Sequence, residues 1–223
     1  IMPLGGKPLL VYSIAVAKLA KNINDIVVST DSERYARIAR DFGAKVPVLR
    51  PAAISKDNSL DNEFVRHYVD RIRNKSIETS DLIVLLRPTT PLREVHVVEQ
   101  AIEYMVQNDE STSLRSVHKS RIFPYRLFKK VDEYMVPFIE NNQVSEYFNY
   151  PRQNYEEAFY PNGYVDIIRP SLFQDRAVLF GDKIKMWETS EGVDIDEIED
   201  YLGAKELFKN DKYKILLDYL NAQ

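Results

Sequence analysis

The chain contains no cysteine in 223 residues, which excludes disulfide scaffolds, thiolate metal sites and cysteine nucleophiles. Histidine is scarce too, at 3, and His67, His96 and His118 lie far apart without the spacing of a metal motif. Neither a G-x-G-x-x-G fingerprint nor a P-loop occurs, and Ser29, Ser55 and Ser59 have no nucleophile-elbow context. There is no apolar run of membrane-spanning length and no charged-then-apolar leader at the start, so the expectation is a soluble, cytoplasmic protein without membrane contact. An excess of one charge is lacking as well, with 30 Lys and Arg against 34 Asp and Glu, net -4. No global field points to nucleic acid, and any anionic ligand has to be met by local arginines.

What the chain does have is an apolar fraction of 44% and a length that suits one α/β domain over 1–223. The organising stretch is Leu82 to Leu86 followed by Arg87-Pro88-Thr89-Thr90-Pro91-Leu92-Arg93. A short aliphatic run between Asp81 and Pro88 reads as a central strand buried on both faces. In open α/β sheets ligands bind beyond the carboxyl ends of strands, and here that end carries two guanidiniums and two hydroxyls between prolines.

Around it the pattern alternates. Leu9 to Ala20 carries a helical apolar stripe after the Gly5-Gly6-Lys7-Pro8 turn, and Asp25 to Asp31 reads as a strand. Asp31 or Ser32 can cap a helix from Glu33 to Phe42, closed by Gly43. A strand at Lys45 to Leu49, a helix from Asp61 to about Arg73 and a helix from Val95 to Gln107 complete a βαβ rhythm, which predicts a largely parallel sheet. Short strands at Ser113 to His118, Tyr125 to Val131 and Glu133 to Ile139 read instead as an antiparallel insertion, placed at roughly 120–163. The stretch from Asn141 to Asn162 is rich in aromatics, either an interface or a loop folded over the core. Strands at Tyr164 to Ile168 and Lys183 to Trp187 and helices at Asp196 to Phe208 and Tyr213 to Leu220 end the chain.

Two constellations carry chemistry. In the extended run Val193-Asp194-Ile195-Asp196, residues two apart face the same way, so Asp194 and Asp196 present both carboxylates together. Two hard oxygen donors without histidine suit Mg2+, which keeps waters and shares substrate phosphates; alternatively Asp196 caps the last long helix and Asp194 is solvated. The second group is Arg50, Arg87, Arg93 and Arg152, each close to a proline. Arginine suits bidentate capture of carboxylate and phosphate, though any single one also reads as a surface salt bridge.

Six stretches occur in the order found in the acylneuraminate cytidylyltransferases, which this chain resembles over its whole length. They are Leu4 to Leu9, Val28 to Asp31, Leu49-Arg50-Pro51 with Ser55 to Ser59, Leu85 to Arg93, Pro151-Arg152-Gln153 with Phe159 to Gly163, and Val193 to Asp196. The resemblance implies a three-layer Rossmann-like nucleotidyltransferase fold with a mostly parallel sheet and a small antiparallel dimerisation insertion. It also implies transfer of CMP from CTP to the anomeric hydroxyl of a 2-keto-3-deoxy sugar acid, with release of pyrophosphate. Such chemistry needs positioning and charge neutralisation rather than a protein nucleophile.

Carried over by position, Asp194 and Asp196 would hold magnesium, and Arg50, Asp57, Asn58 and Ser59 would line the nucleotide pocket. Arg87, Thr90, Arg126, Arg152, Gln153, Phe159 and Asn162 would face the sugar acid. A homodimer built by the insertion is also implied. Two departures stand out. The family's Ala-Arg-x-x-Ser-Lys loop is not found after Ile1 and is expected upstream of it, and Arg87 stands where the family usually has glutamine. A permanent cation there should change which sugar acid is tolerated, leaving sialic, pseudaminic, legionaminic and octulosonic acids open. The alternatives are a nucleotidyltransferase acting on another sugar and a catalytically silent nucleotide-binding relative.

Overall fold

A computed structural model describes residues 3–72, 82–141, 143–175 and 178–223. Arg73 and Asp81, which bound the predicted third helix and organising strand, lie outside these residues.

The chain opens with the short strands β1 (Pro3–Leu4) and β2 (Lys7–Pro8), paired antiparallel across Gly5 and Gly6, whose φ angles of 52° and 81° only glycine adopts at ease. Helix α1 (Leu9–Leu19) follows, buried on nearly every side from Val11 to Ala17. An apolar pattern that wraps the whole helix demands burial all round. Helix α2 (Glu33–Asp41) is started by Ser32, whose hydroxyl accepts from the Tyr35 N–H, and is closed by Gly43 at φ 79°. Helices α3 (Asp61–Ile72) and α4 (Val95–Val106) flank the strand β3 (Ile83–Leu85).

Strand β4 (Ser113–Lys119), the hairpin β5 (Phe128–Val131) and β6 (Tyr134–Pro137), and the long strand β7 (Phe159–Ile168) come next. A short helix α5 (Leu172–Asp175), strand β8 (Ile184–Glu188) and helices α6 (Ile198–Leu207) and α7 (Lys214–Asn221) finish the chain. The main sheet runs β3-β7-β4-β8, with β7 antiparallel to both neighbours and β4 parallel to β8. Consecutive strand residues point to opposite faces. Ile167 packs into the core of α1, α4 and α7, whereas Ile168 packs against Val65 and Val69 of α3, so helices cover both faces of this mixed sheet.

Four expectations need correction. Ser113 to His118 is not part of an antiparallel insertion but forms β4, an inner strand of the main sheet that runs parallel to β8. The sheet is mixed rather than mostly parallel, because β7 returns between β3 and β4 in the opposite sense. The segments at 25–31 and 45–49 form only one parallel bridge, Val27 to Lys45; Pro47 has no N–H to extend a ladder. The Leu82–Leu86 strand is not central: β3 lies at the edge of the described sheet and its residues are half-buried.

Between β4 and β7 the expected insertion is the β5-β6 hairpin plus short 3-10 turns. Its aromatic stretch folds partly on itself: Tyr147 meets Tyr125, Tyr150 and Tyr155 with ring centroids 4.8, 5.3 and 5.3 Å apart. Exposed apolar side chains of this region include Tyr134, Met135 and Phe138 on and just after the hairpin, at 75%, 71% and 62% exposure, and Tyr160 of the aromatic stretch, also at 62%. No helix among the described residues is long and apolar enough to cross a membrane.

Candidate functional site

Past the end of β3 the chain turns at Pro88, Thr89 and Thr90, and the last extended segment before α6 docks onto that turn. The Ile195 N–H donates to the Thr89 carbonyl at 2.7 Å, and the Thr90 hydroxyl donates to Asp194 Oδ1 at 3.3 Å. Ile195 is buried in the core while Asp194 and Asp196 on either side are exposed, which is the alternation an extended segment requires. The helix-cap alternative for Asp196 does not hold: α6 begins at Ile198, and Asp200 Oδ2 accepts from the N–H groups of both Asp196 and Glu197.

Two glycines bring this segment close to β7. A Cβ at Gly163, where φ is 65°, would lie 3.1 Å from Thr90 Oγ1 and 3.8 Å from Arg87 Cδ. A Cβ at Gly192 would lie 3.3 Å from the Tyr164 ring and 3.4 Å from Thr90 Cγ2. Arg87, Thr90, Gly163, Gly192 and Asp194 therefore pack together at one turn, and Thr90, expected to face the sugar, is fully buried within it. Asn162, expected to face the sugar, is buried, and its amide donates to Thr189 Oγ1 at 2.8 Å and to the Ser190 carbonyl at 3.4 Å. It ties β7 to the loop that leads to the acidic pair.

Beneath this turn lies Arg93, fully buried. It donates to the carbonyls of Arg87, Gly163 and Tyr164 and to the Ser13 hydroxyl, with Nη2 reaching Arg87 at 2.8 Å. Burial pushes its pKa down to about 9, with Arg87 adding to the fall while Tyr164, Asp194 and Asp166 oppose it. It stays cationic at neutral pH.

Arg87 itself is engaged on two sides. Its Nη1 meets Asp166 Oδ2 at 2.6 Å and its Nη2 meets Asp61 Oδ2 at 2.6 Å. Asp166, fully buried on β7, also receives Arg115 Nε at 3.4 Å, and Arg115 stacks over Phe180 at 4.1 Å. Burial works against the Arg87 cation, but Asp166 and Asp61 outweigh it and raise its pKa.

The residues expected on the nucleotide side sit on the stretch that leads into α3. Arg50 Nε donates to Ser55 Oγ at 3.0 Å and lies over the Phe64 ring, and the Lys56 N–H donates to Ser59 Oγ at 3.0 Å. Asp57 and Asn58 are exposed at the tip of that turn. Arg126 and Arg152 contact residues of the insertion: Arg126 donates to the Tyr150 carbonyl at 2.7 Å, and Arg152 lies over Phe123. Gln153 is exposed beside Arg152, and half-buried Phe159 begins β7.

The residues that could hold a metal ion here are Asp194 and Asp196. Among the described residues no group of three or more His, Cys, Asp or Glu could form an all-protein cage. Two outward carboxylates on one extended segment suit an ion that retains waters and binds phosphate oxygens.

Sequence reasoning missed Asp61, Asp166 and Arg115. Asp166 had a legible signal, a lone carboxylate within the apolar run Tyr164-Val165-Asp166-Ile167-Ile168. Such a group must be paired to be buried.

A family model described as cytidylyltransferase matches residues 1–213. The chain is 28% identical over 199 residues to the N-acylneuraminate cytidylyltransferase of Escherichia coli O18:K1:H7, a match covering 87% of this chain and 44% of that protein. It therefore spans less than half the length of that relative. To the pseudaminic acid cytidylyltransferase of Campylobacter jejuni serotype O:23/36 it is 25% identical over 210 residues, covering 92% of this chain and 86% of the other. A solved structure of CMP:2-keto-3-deoxy-manno-octonic acid synthetase complexed with CTP superposes with a TM-score of 0.65 at 14% identity, over 94% of this chain and 91% of that one. At that identity the likeness concerns the fold. The chain belongs to the cytidylyltransferase family.

Proposed function

We propose that this chain is a cytidylyltransferase that joins CMP from CTP to the anomeric hydroxyl of a nonulosonic-type sugar acid and releases pyrophosphate. The observation that carries this reading is the convergence of Arg87, Thr90 and Asp194 just past the end of β3. The names of the relatives, N-acylneuraminate and pseudaminic acid cytidylyltransferases, support the same substrate class.

In the reaction the anomeric oxygen attacks the α-phosphorus of CTP in line, its proton is lost to solvent or base, and the bond to the bridging oxygen of pyrophosphate breaks. Asp194 and Asp196 would hold Mg2+, which supplies charge neutralisation on the triphosphate when bound. Thr90 fixes the orientation of the Asp194 carboxylate through its hydroxyl. Arg50 and the turn at Asp57, Asn58 and Ser59 would line the cytidine and ribose side; Arg87, Arg126, Arg152, Gln153 and Phe159 would face the sugar acid. Asn162 contributes by holding the 189–190 loop.

The exposed apolar side chains Tyr134, Met135 and Phe138 support a homodimer formed through the hairpin. We also propose a cytoplasmic location, with whose reducing conditions a chain free of cysteine is compatible. The test is pyrophosphate release by the full chain from each of the four nucleoside triphosphates against a panel of N-acetylneuraminate, N,N′-diacetyllegionaminate, pseudaminate and a 3-deoxy-octulosonate, with magnesium. Release with CTP and one of these acids is expected. Turnover only with another base or with a neutral sugar would refute the reading.

A further inference from the structure

Asp61, Arg87, Asp166 and Arg115 form one continuous chain of charges, with contacts of 2.6, 2.6 and 3.4 Å. Two carboxylates against two guanidiniums make it neutral. Its members are not equivalent. Asp166 is fully buried and permanently committed, whereas Asp61 is 43% exposed and touches only the outer edge of the Arg87 guanidinium. Asp61 is the first residue of α3, where the helix dipole favours an anion. The other acid of that turn, Glu63, is already occupied by the Leu60 N–H at 2.7 Å.

We propose that Asp61 is a specificity-determining residue, an internal carboxylate that occupies the outer edge of Arg87 and yields it to the carboxylate of an acidic sugar. The assignment rests on the proposed function and deepens it. The stem of Arg87 lies by Gly163, its side chain keeps 27% exposure, and of its two partners Asp166 is fully buried while Asp61 is 43% exposed, so the Asp61 side is the one open to a ligand. While Asp61 holds that edge the cluster is neutral; once Asp61 swings away the cluster carries one positive charge, matched by the incoming carboxylate. A neutral sugar offers nothing in exchange. The fork geometry of Arg87 suits this swap between carboxylates, where the family's usual glutamine would have no charge to exchange.

The test uses Asp61→Asn in the full chain, which keeps the side-chain shape and removes the competing charge. Affinity is measured by calorimetry for N-acetylneuraminate and pseudaminate, each beside its uncharged methyl ester, with CTP affinity and pyrophosphate release followed in parallel. Removing an exposed competitor is expected to tighten binding of the acid by about three- to fivefold, with the esters and CTP unchanged. A structural role would move acid and ester together. Equal shifts for acid and ester, a shift in CTP affinity instead, or no shift would overturn the assignment. If the wild type releases no pyrophosphate yet the acid-over-ester preference rises in the variant, the proposed reaction fails while the role of Asp61 stands. If turnover is intact and the preference does not move, the reverse holds.

Discussion

Asp166→Asn should be among the costliest conservative changes in this chain. The carboxylate is fully buried on β7 and accepts from Arg87 at 2.6 Å and Arg115 at 3.4 Å. Breaking a buried pair by removing one partner costs about 3–5 kcal/mol. Here Arg87 and Arg115 keep 27% and 29% exposure and Arg87 retains Asp61, so solvent and the second carboxylate offset part of that loss. An outcome of about 2–3 kcal/mol follows. At a urea slope of about 2–3 kcal/mol/M, that lowers the unfolding midpoint by roughly 1 M. Asp61→Asn, acting on a half-exposed pair, should cost less than about 1 kcal/mol. Pairing Asp166→Asn with Arg87→Gln in a double-mutant cycle should return a coupling of about 1–3 kcal/mol. The reasoning collapses if Asp166→Asn costs no more than Asp61→Asn, or if the cycle shows the two sites to be additive.

Three further outcomes are expected. Asp194→Ala in the full chain should abolish pyrophosphate release while the urea midpoint stays within about 0.3 M of wild type, because the side chain is exposed; surviving magnesium-dependent turnover would remove Asp194 from the metal site. Gly163→Ala forces φ 65° on a residue with a Cβ and presses on Thr90 Oγ1 at 3.1 Å, so it should cost about 1–2 kcal/mol and slow turnover through the Thr90–Asp194 contact, which unchanged kinetics would contradict. Tyr12→Phe removes a 2.6 Å hydrogen bond to the Leu4 carbonyl and should cost about 1 kcal/mol at neutral pH. Burial raises the Tyr12 pKa from 10.0 to about 12. Folding therefore favours its protonated form, and that contribution is complete below pH 10.0 and is lost as pH rises towards about 12. Urea midpoints across that range should fall less steeply in Tyr12→Phe than in wild type.

Helix positions were the most legible part of the sequence, because caps and apolar stripes are local. The stripe from Leu9 and the Ser32 and Gly43 signals placed α1 and α2 to within a residue or so. Strand order is set by partners distant in the chain. Nothing within Leu82 to Leu86 says that β7 will lie beside it running the opposite way, so a central parallel strand was expected where an edge strand in a mixed sheet is found. The acidic pair was legible because period-two alternation around Ile195 is itself local. The electrostatic role of Arg87 was not, since its two partners lie 26 and 79 residues away in sequence. Asn162 is expected at the sugar only through the family resemblance, and its amide donates to Thr189 and Ser190.

The buried Ile195 also sets a rule for how this segment can vary. It works as a keel: with its side chain locked in the core and its N–H locked to Thr89, the acids on either side are forced outward together. Every position around it is fixed by parity, so inserting or deleting one residue between Gly192 and Ile195 would turn an apolar side chain to solvent and an acid toward the core. Length changes in steps of two preserve the facing of the pair, and single steps abolish it. The spacing of the two acids is thus guarded by hydrophobic packing as well as by any demand of the reaction.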